Sequence, residues 1–377
     1  MKPILNLLRL IKYLAAGIFI RKTTPEKAFP DAPVTVHPIE SVVKTPELPA
    51  MDLFPAGRAL QGSEYRFPSV HGLPMPGVLY DPAQGLVLDK RRRAIEDPDQ
   101  VPMRMHWYRW KPFLGRNIED ISGNTHAFRS FSKHYYHLLT DHLPSLFMLG
   151  RLDWDFGGDV KLLLAEPLTK AEEYFVPRLC PEGVEIRLLN PDRLYRLENY
   201  LYVSHLSRRS AGCLPQDYLE PFLELCAPSR PRRPDKRIFI SRATSGRRRI
   251  VNEEELYSGL ARYGFECHRL EDLSIEEQIA LFYDAEMVVS PHGAGLVNLL
   301  FSSRAKVLEL FPGPLIRPHY YYICKSLGLD YRYLRMRRDY RFPRSLLIDL
   351  DEEYNGSFDD FAVDCKAVLR AVEKMGA

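Results

Sequence analysis

No two of the six cysteines, Cys180, Cys213, Cys226, Cys267, Cys324 and Cys365, form a Cys-x-x-Cys pair. That spacing builds neither a zinc ribbon nor a disulfide framework, and it fits buried thiols in a reducing compartment. Charge of one sign is also scarce. The net charge is +3, too small to mark a nucleic-acid binder by bulk attraction, so any basic patch must be local. A long apolar run is missing as well. The run Tyr13 to Ile20 falls far short of the roughly 20 residues that span a bilayer. There is no Gly-x-x-x-x-Gly-Lys-Ser/Thr phosphate loop and no Gly-x-Ser-x-Gly nucleophile elbow. These two absences argue against a P-loop NTPase and an α/β-hydrolase. Asp-x-Asp occurs at 97/99, 153/155 and 349/351, at the frequency expected of an acid-rich chain, and sets no metal expectation.

What is present is the composition of a soluble globular protein, 45% hydrophobic and 27% charged, on a chain of 377 residues that suits two domains. Residues 1–22 carry Ile4, Leu7, Leu8, Ile11, Leu14, Ala15 and Ile18 at helical spacing, with Lys2, Asn6 and Arg9 elsewhere on the wheel. We expect an amphipathic helix lying in a membrane interface. A helix packed on the protein's own body and a targeting or signal-anchor segment are the alternatives. Residues 23–60 are proline-rich and aperiodic, the pattern of an extended linker. Over 61–228, the hairpin GVLYDPAQGLVLD leads into alternating helices and strands, which predicts an α/β domain. Pro228, Pro231 and Pro234 then break the pattern, so 229–236 reads as a second linker. A new alternation of strands and helices fills 237–345. The tail, 346–377, places Phe358, Phe361, Cys365, Val368, Leu369 and Val372 on one helical face.

Four features carry candidate chemistry. In SPHGAGLVNLLF, residues 290–301, a predicted strand ends and the chain turns through His292, Gly293, Ala294 and Gly295 into a helix beginning near Leu296. Free N–H groups at a helix start, reached over bare glycines, suit a phosphate. A tight turn needing small residues is the plain alternative. Upstream, ISRATSGRRR places Arg242 just past a strand and follows it with Arg247, Arg248 and Arg249. Arginine grips phosphate in a forked geometry, although a solvated basic loop has the same composition. Glu309, at the end of the strand KVLEL, suits a pair of ribose hydroxyls or an ion pair with an arginine. His137 and Asp141 are four residues apart and share one helix face, as a general base and its orienting carboxylate would. A polar helix face with incidental histidines, His134 and His142, is the alternative.

Taken in order, YYHLLTDHLPSL, RIFISRATSGRRRIVNEEEL, VVSPHGAGLVNLLF and KVLELFP resemble the glycosyltransferase 61 family over about residues 125 to 335. The ISR and HGAGLxNLLF blocks are the specific ones. The family's bacterial members are associated with capsule and other surface polysaccharides. The resemblance implies an α/β GT-B fold. Two Rossmann-like domains would face across a cleft, the second would hold the nucleotide sugar, and the C-terminal helix would pack back on the first. It also implies an inverting transfer. Arg242 and Arg249 would face the donor diphosphate. His292 and the 293–295 backbone would touch the phosphates, with Asn298 nearby, and Glu309 would bind ribose. His137 or Asp141 would deprotonate the acceptor hydroxyl, a choice the sequence leaves open. No divalent metal and no separate cofactor are expected, because arginines can meet the leaving group's charge. The expected partners are a nucleotide-sugar donor, UDP-linked by preference, a glycan or lipid-linked glycan acceptor, and a membrane surface through residues 1–22. No nucleic acid is expected. The cytoplasmic face of a membrane is the expected location, and a Golgi-type lumenal anchor is the alternative. A catalytically inactive nucleotide-sugar-binding protein would share most of these motifs.

Overall fold

A computed structural model of the chain describes residues 22–44, 64–95, 116–128, 133–154, 159–206, 212–312, 318–336 and 360–377. The helix expected over 1–22 lies outside them except for its last residue. Among the described residues no helix is long and apolar enough to cross a membrane. The chain divides into two compact units. One comprises Met1–Glu40 and Phe67–Arg209, the other Ser41–Arg66 and Ser210–Ala377.

The segment read as a linker over 23–60 is partly ordered into short elements. Strands β1 (Lys22–Thr23), β2 (Thr35–His37), β3 (Val42–Lys44) and β4 (Glu64–Arg66) come first. Thr24 caps a one-turn helix, Pro25–Ala28, whose first residue is a proline that needs no N–H there. β3 and β4 pair with each other inside the second unit. Proline density hid these elements because each is too short to show a period.

The first unit is built on a mixed sheet. β5 (Val70–Asp81) and β6 (Leu86–Leu88) form the expected hairpin, followed by β7 (Ala94–Ile95). β8 (Ile118–Ala127), β9 (Val160–Ala165), β10 (Val184–Leu189) and β11 (Leu194–Val203) follow. The sheet order is β1-β7-β6-β5-β11-β8-β9-β10, with β2 against β5. The β11-β8-β9-β10 part is parallel, as is the short β1-β7 pair; β5 meets β11 antiparallel. Leu163, Leu197, Tyr200 and Tyr202 sit in its core. The helix Lys170–Leu179 starts with a capping box of Thr169 and Glu172.

The second unit carries a five-stranded, wholly parallel sheet. Its strands are β12 (Lys236–Ile240), β13 (Phe265–His268), β14 (Ala285–Pro291), β15 (Lys306–Phe311) and β16 (Asp330–Arg335). The order is β13-β12-β14-β15-β16. Counted along the chain this is 2-1-3-4-5, so the winding direction reverses between β12 and β14. In open parallel sheets a ligand crevice forms at such a reversal, beyond the carboxyl ends of the strands.

Two expectations about boundaries meet a different arrangement. The helix Gln216–Cys226 belongs to the second unit, ahead of the proline run. Gln216 donates to the Ser326 carbonyl at 2.6 Å, and the Phe222 ring lies tilted against Phe301 with centroids 5.4 Å apart. The helix Cys365–Lys374, expected to return to the first domain, buries Val368 and Val372 in the second unit's own core beside Leu256, Leu260 and Met287. Its face is the apolar one read from the tail, and the nearest matching surface is the helix Glu253–Ala261.

Candidate active site

In the second unit, the site forms where β12 and β14 end. Ser241 donates to Glu253 at 2.5 Å, and the Arg242 backbone N–H reaches the same carboxylate at 3.3 Å. The first residue of the helix Glu253–Ala261 therefore clamps the end of β12. The Arg242 side chain turns back into its own loop, donating to Ser245 Oγ at 2.6 Å and to the Arg247 carbonyl at 3.1 Å. Its third arm lies over Gly293. A Cβ placed on Gly293 would come within 2.3 Å of Arg242 Nη1. Glycine lets the guanidinium pack directly on the backbone there; any side chain would displace it. Burial lowers the Arg242 pKa, opposed by Tyr320 and Glu271, but guanidinium keeps its charge in any such setting.

The expected helix after the glycines is a 3₁₀ helix, Ala294–Phe301, with Gly293 as its N-cap. Its first N–H groups lie at the β12/β14 reversal beside Arg242. Gly295 has a packing reason of its own: a Cβ there would meet Leu270 at 2.4 Å. Ala294 is the first helical residue and is half-buried.

The arginine triplet resolves into separate roles. Arg248 donates from Nη1 to the His292 carbonyl at 2.7 Å. It is held at φ +59°, a conformation that a non-glycine residue keeps only where its surroundings over-determine it. Arg249, expected at the diphosphate, is engaged elsewhere. Asp360 accepts from its Nε at 2.8 Å, its Nη2 at 2.6 Å and its backbone N–H at 2.9 Å. Arg249 is thus tied to the tail carboxylate, and Arg248 is the member of the triplet that reaches the His292 carbonyl.

His292 is buried, stacked on Phe311 at 5.2 Å, with Tyr320 at 5.3 Å and His319 at 6.1 Å. Its Nδ1 makes a short hydrogen bond with Glu309. Tyr331 donates to the other Glu309 oxygen at 2.6 Å. Glu309 is 0% exposed and both of its oxygens are occupied. In this arrangement the carboxylate, expected at a ribose, faces His292 and Tyr331. Burial pushes the Glu309 carboxyl up to about 8, against the Tyr331 hydrogen bond and the Arg248 charge. Asn298 is likewise fully buried. Its Nδ2 donates to Gln278 at 3.0 Å, tying the 3₁₀ helix to the helix Ile275–Tyr283. In this arrangement Asn298, expected near the phosphates, bonds within the scaffold. Tyr331, His319 and Tyr320 escaped the sequence reading because nothing in an isolated HYYY or DYRYLR string separates a site aromatic from a core one.

In the first unit, the helical stretch after β8 runs Tyr135–His137, then a π turn over Leu138–His142, then Leu143–Leu149. Such turns recur at functional sites. His137 Nδ1 and Asp141 Oδ2 are 2.7 Å apart, and Thr140 Oγ1 donates to Asp141 Oδ1 at 3.0 Å. Both side chains are partly open to solvent. Burial raises the Asp141 pKa, but the His137 hydrogen bond and the charges of His137, His142 and His205 outweigh it and hold it at about 2. Burial lowers the His137 pKa, and the hydrogen bond and charge of Asp141 reverse this, so it ends above its ordinary value. His205 follows β11, the parallel neighbour of β8. The sequence alone gave no sign of it, because it lies 64 residues from Asp141 in a different strand's exit. Among the described residues no group of three or more His, Cys, Asp or Glu side chains is placed to hold a metal ion.

Residues 135–308 match the family model described as Glycosyltransferase 61. A beta-1,2-xylosyltransferase of Arabidopsis thaliana is 25% identical over 118 residues, covering 28% of this chain and 22% of that protein. A protein O-linked-mannose beta-1,4-N-acetylglucosaminyltransferase 2 of Homo sapiens is 39% identical over 99 residues, covering 24% of this chain and 17% of that protein. The Xenopus laevis protein of the same name is 40% identical over 106 residues. The matched stretch is about a fifth of the length of these curated relatives.

Proposed function

The chain belongs to the glycosyltransferase 61 family over residues 135–308, and from that premise we propose that it moves a sugar from a nucleotide-sugar donor, UDP-linked by preference, to a glycan acceptor with inversion. The observation that carries this reading is the Arg242 guanidinium packed on Gly293 at the β12/β14 reversal. It brings a fixed cation, a bare backbone and a helix start to the place where a parallel sheet receives a ligand.

In this reading the second unit binds the donor. Arg242, Arg248 and the first N–H groups of Ala294–Phe301 face the diphosphate, and His292 lies beside them. As the bond from the sugar carbon to the diphosphate oxygen breaks, negative charge grows on that oxygen. Preorganised cations and N–H groups stabilise it without reorganising. They can do so without a divalent ion, so we infer a metal-independent transfer with no further cofactor. The first unit supplies the base. Asp141, held at about 2, is too weak a base to take a hydroxyl proton, whereas the Asp141 hydrogen bond and charge outweigh burial and raise the His137 pKa, which makes the imidazole the stronger base of the pair. We therefore assign His137 Nε2 as the base and Asp141, through Nδ1, as the group that orients it. The acceptor hydroxyl loses its proton to His137 and attacks the sugar carbon from the side opposite the diphosphate. Surface polysaccharide or glycoconjugate assembly at the cytoplasmic face of a membrane is the setting we propose, with residues 1–22 as the contact.

Thermal-shift measurements against UDP-, GDP- and CMP-sugars, with and without EDTA, test the donor reading. A donor-specific rise in melting temperature that survives EDTA and disappears in Arg242→Ala is the expected result. No shift with any nucleotide sugar would end it. Binding without turnover on any acceptor would favour the inactive binding protein instead.

A further inference from the structure

We propose that Glu309, its carboxyl oriented by Tyr331, is a positioning residue that keeps a proton on Nε2 of His292, making the imidazole a hydrogen-bond donor to the diphosphate of the bound nucleotide. This rests on the donor-pocket reading and adds a proton-holding device to it.

The argument begins with the count of protons. Glu309 Oε2 accepts from Tyr331 at 2.6 Å, and Oε1 shares a short hydrogen bond with His292 Nδ1. One proton lies between Oε1 and Nδ1. If it sits on nitrogen, the pair is a carboxylate and an imidazolium that bears N–H on both nitrogens. If it sits on oxygen, the pair is a carboxylic acid and a neutral imidazole whose only N–H is at Nε2. Both arrangements leave a donor at Nε2, and both are neutral overall, so neither buries a net charge. A phosphate oxygen can accept from that donor. Removal of the shared proton changes this. The remaining carboxylate draws the one N–H to Nδ1, and Nε2 becomes a lone pair that repels an anion. Burial favours retention of the proton at neutral pH. The ring is held against Phe311 with an interplanar angle of 24°, and its carbonyl is held by Arg248.

The charged and titratable groups around the pair come from three places. Arg242 and Arg248 lie on the loop after β12. His319, Tyr320 and Cys324 lie on the helix His319–Leu327, and Tyr331 on β16. The arginines stay charged throughout the range concerned, and burial raises Cys324 and Tyr331 well above their ordinary values. His319 is the group that needs its own control.

The test is calorimetric binding of UDP and of inorganic pyrophosphate to the full chain from about pH 7 to about pH 9.5. The quantity compared is the ratio of affinities at the two ends, with folding checked at each pH by circular dichroism. In the native protein both ligands are expected to weaken about tenfold or more as the pair loses its proton. In Glu309→Gln, Tyr331 donates to the amide oxygen and the NH₂ faces Nδ1. Nε2 then keeps its hydrogen at every pH and the ratio becomes flat. Tyr331→Phe removes a donor that favours the carboxylate, so the fall moves to higher pH. His319→Gln retains the fall. The proposal is overturned if the fall persists in Glu309→Gln or disappears in His319→Gln. It is also overturned if Glu309→Gln weakens UDP alone and leaves pyrophosphate untouched, which is the mark of a ribose contact. If the folded native protein binds neither ligand at any pH, the donor-pocket reading fails and this inference with it.

Discussion

Arg242 and Arg249 have the same side chain and opposite fates. Arg242 is folded onto Gly293, while Arg249 is held by Asp360. A charge-assisted hydrogen bond to a phosphate contributes about 1.5–3 kcal/mol. Arg242→Ala and Arg248→Ala should therefore each weaken UDP binding by roughly 10- to 150-fold, and Arg249→Ala should leave it within about twofold. Titration of the three variants with UDP checks the ranking, and a loss centred on Arg249 would return that residue to the site. The proposed catalytic pair, His137 and Asp141, gives a pH test. A base must be neutral to accept a proton, so activity should rise as pH climbs through the His137 pKa. Asp141 raises that pKa. Asp141→Asn should shift the acid limb of the kcat/KM profile to lower pH and lower the plateau, because the ring loses its orienting partner. An acid limb that stays in place would mean that His137 is not the titrating base. The sequence pointed to the residues that gather at the β12/β14 reversal and to the His137–Asp141 pair, but not to their partners. A string shows that Arg247, Arg248 and Arg249 are adjacent; it does not show that one carboxylate 111 positions downstream turns Arg249 aside. The burial that sets Glu309 against His292 and Tyr331 is likewise a property of three neighbouring strands.

At the scale of elements, the second unit was the readable one. A parallel sheet buried on both faces requires apolar strands such as EMVVS and KVLEL, and its helices announce their starts, as the Ser274–Glu277 capping box does. The first unit was read only in part. Its antiparallel strands β5 and β11 are 12 and 10 residues long, and β8 is interrupted at Gly123, which sits at φ +78°. Such strands carry no simple alternation. The proline run at 228–234 looked like a border because proline stops periodicity. Yet the cations around it staple the second unit together. Arg230 pairs with Asp284 at 2.6 Å, Arg232 donates to the carbonyl ends of two helices, and Arg237 pairs with Glu286 at 3.0 Å. The C-terminal helix makes an element-scale prediction. Val368 is 0% exposed between that helix and the core. Val368→Ala removes two buried carbons and leaves a small cavity, at a cost of about 2 kcal/mol. The urea midpoint should fall and the slope should stay constant. A midpoint unchanged within error would show that the helix does not dock as described.

At the scale of the whole molecule, charge separates a membrane partner from a nucleic-acid partner. Nine Lys and Arg residues lie between Arg230 and Arg249, a density that invites a polyanion. The structure commits many of them to internal ion pairs and carbonyls. Little of that charge is left to follow a nucleic-acid backbone, and the net charge is +3. Residues 1–21 carry Lys2, Arg9, Lys12 and Arg21 beside their apolar positions. Each cation near an anionic leaflet contributes about 1 kcal/mol, and the apolar face adds its own burial. Deletion of residues 1–21 should therefore abolish co-sedimentation with phosphatidylserine-containing vesicles. In the full chain the same binding should weaken as salt shortens the reach of the charges. The truncated chain should still show the UDP-dependent thermal shift, because neither site uses these residues. A helix packed on the protein's own body gives the reverse pattern: the truncated chain melts earlier, and the full chain does not sediment with vesicles. Measured together, sedimentation and melting separate a helix that holds the chain to a surface from one that holds the fold together.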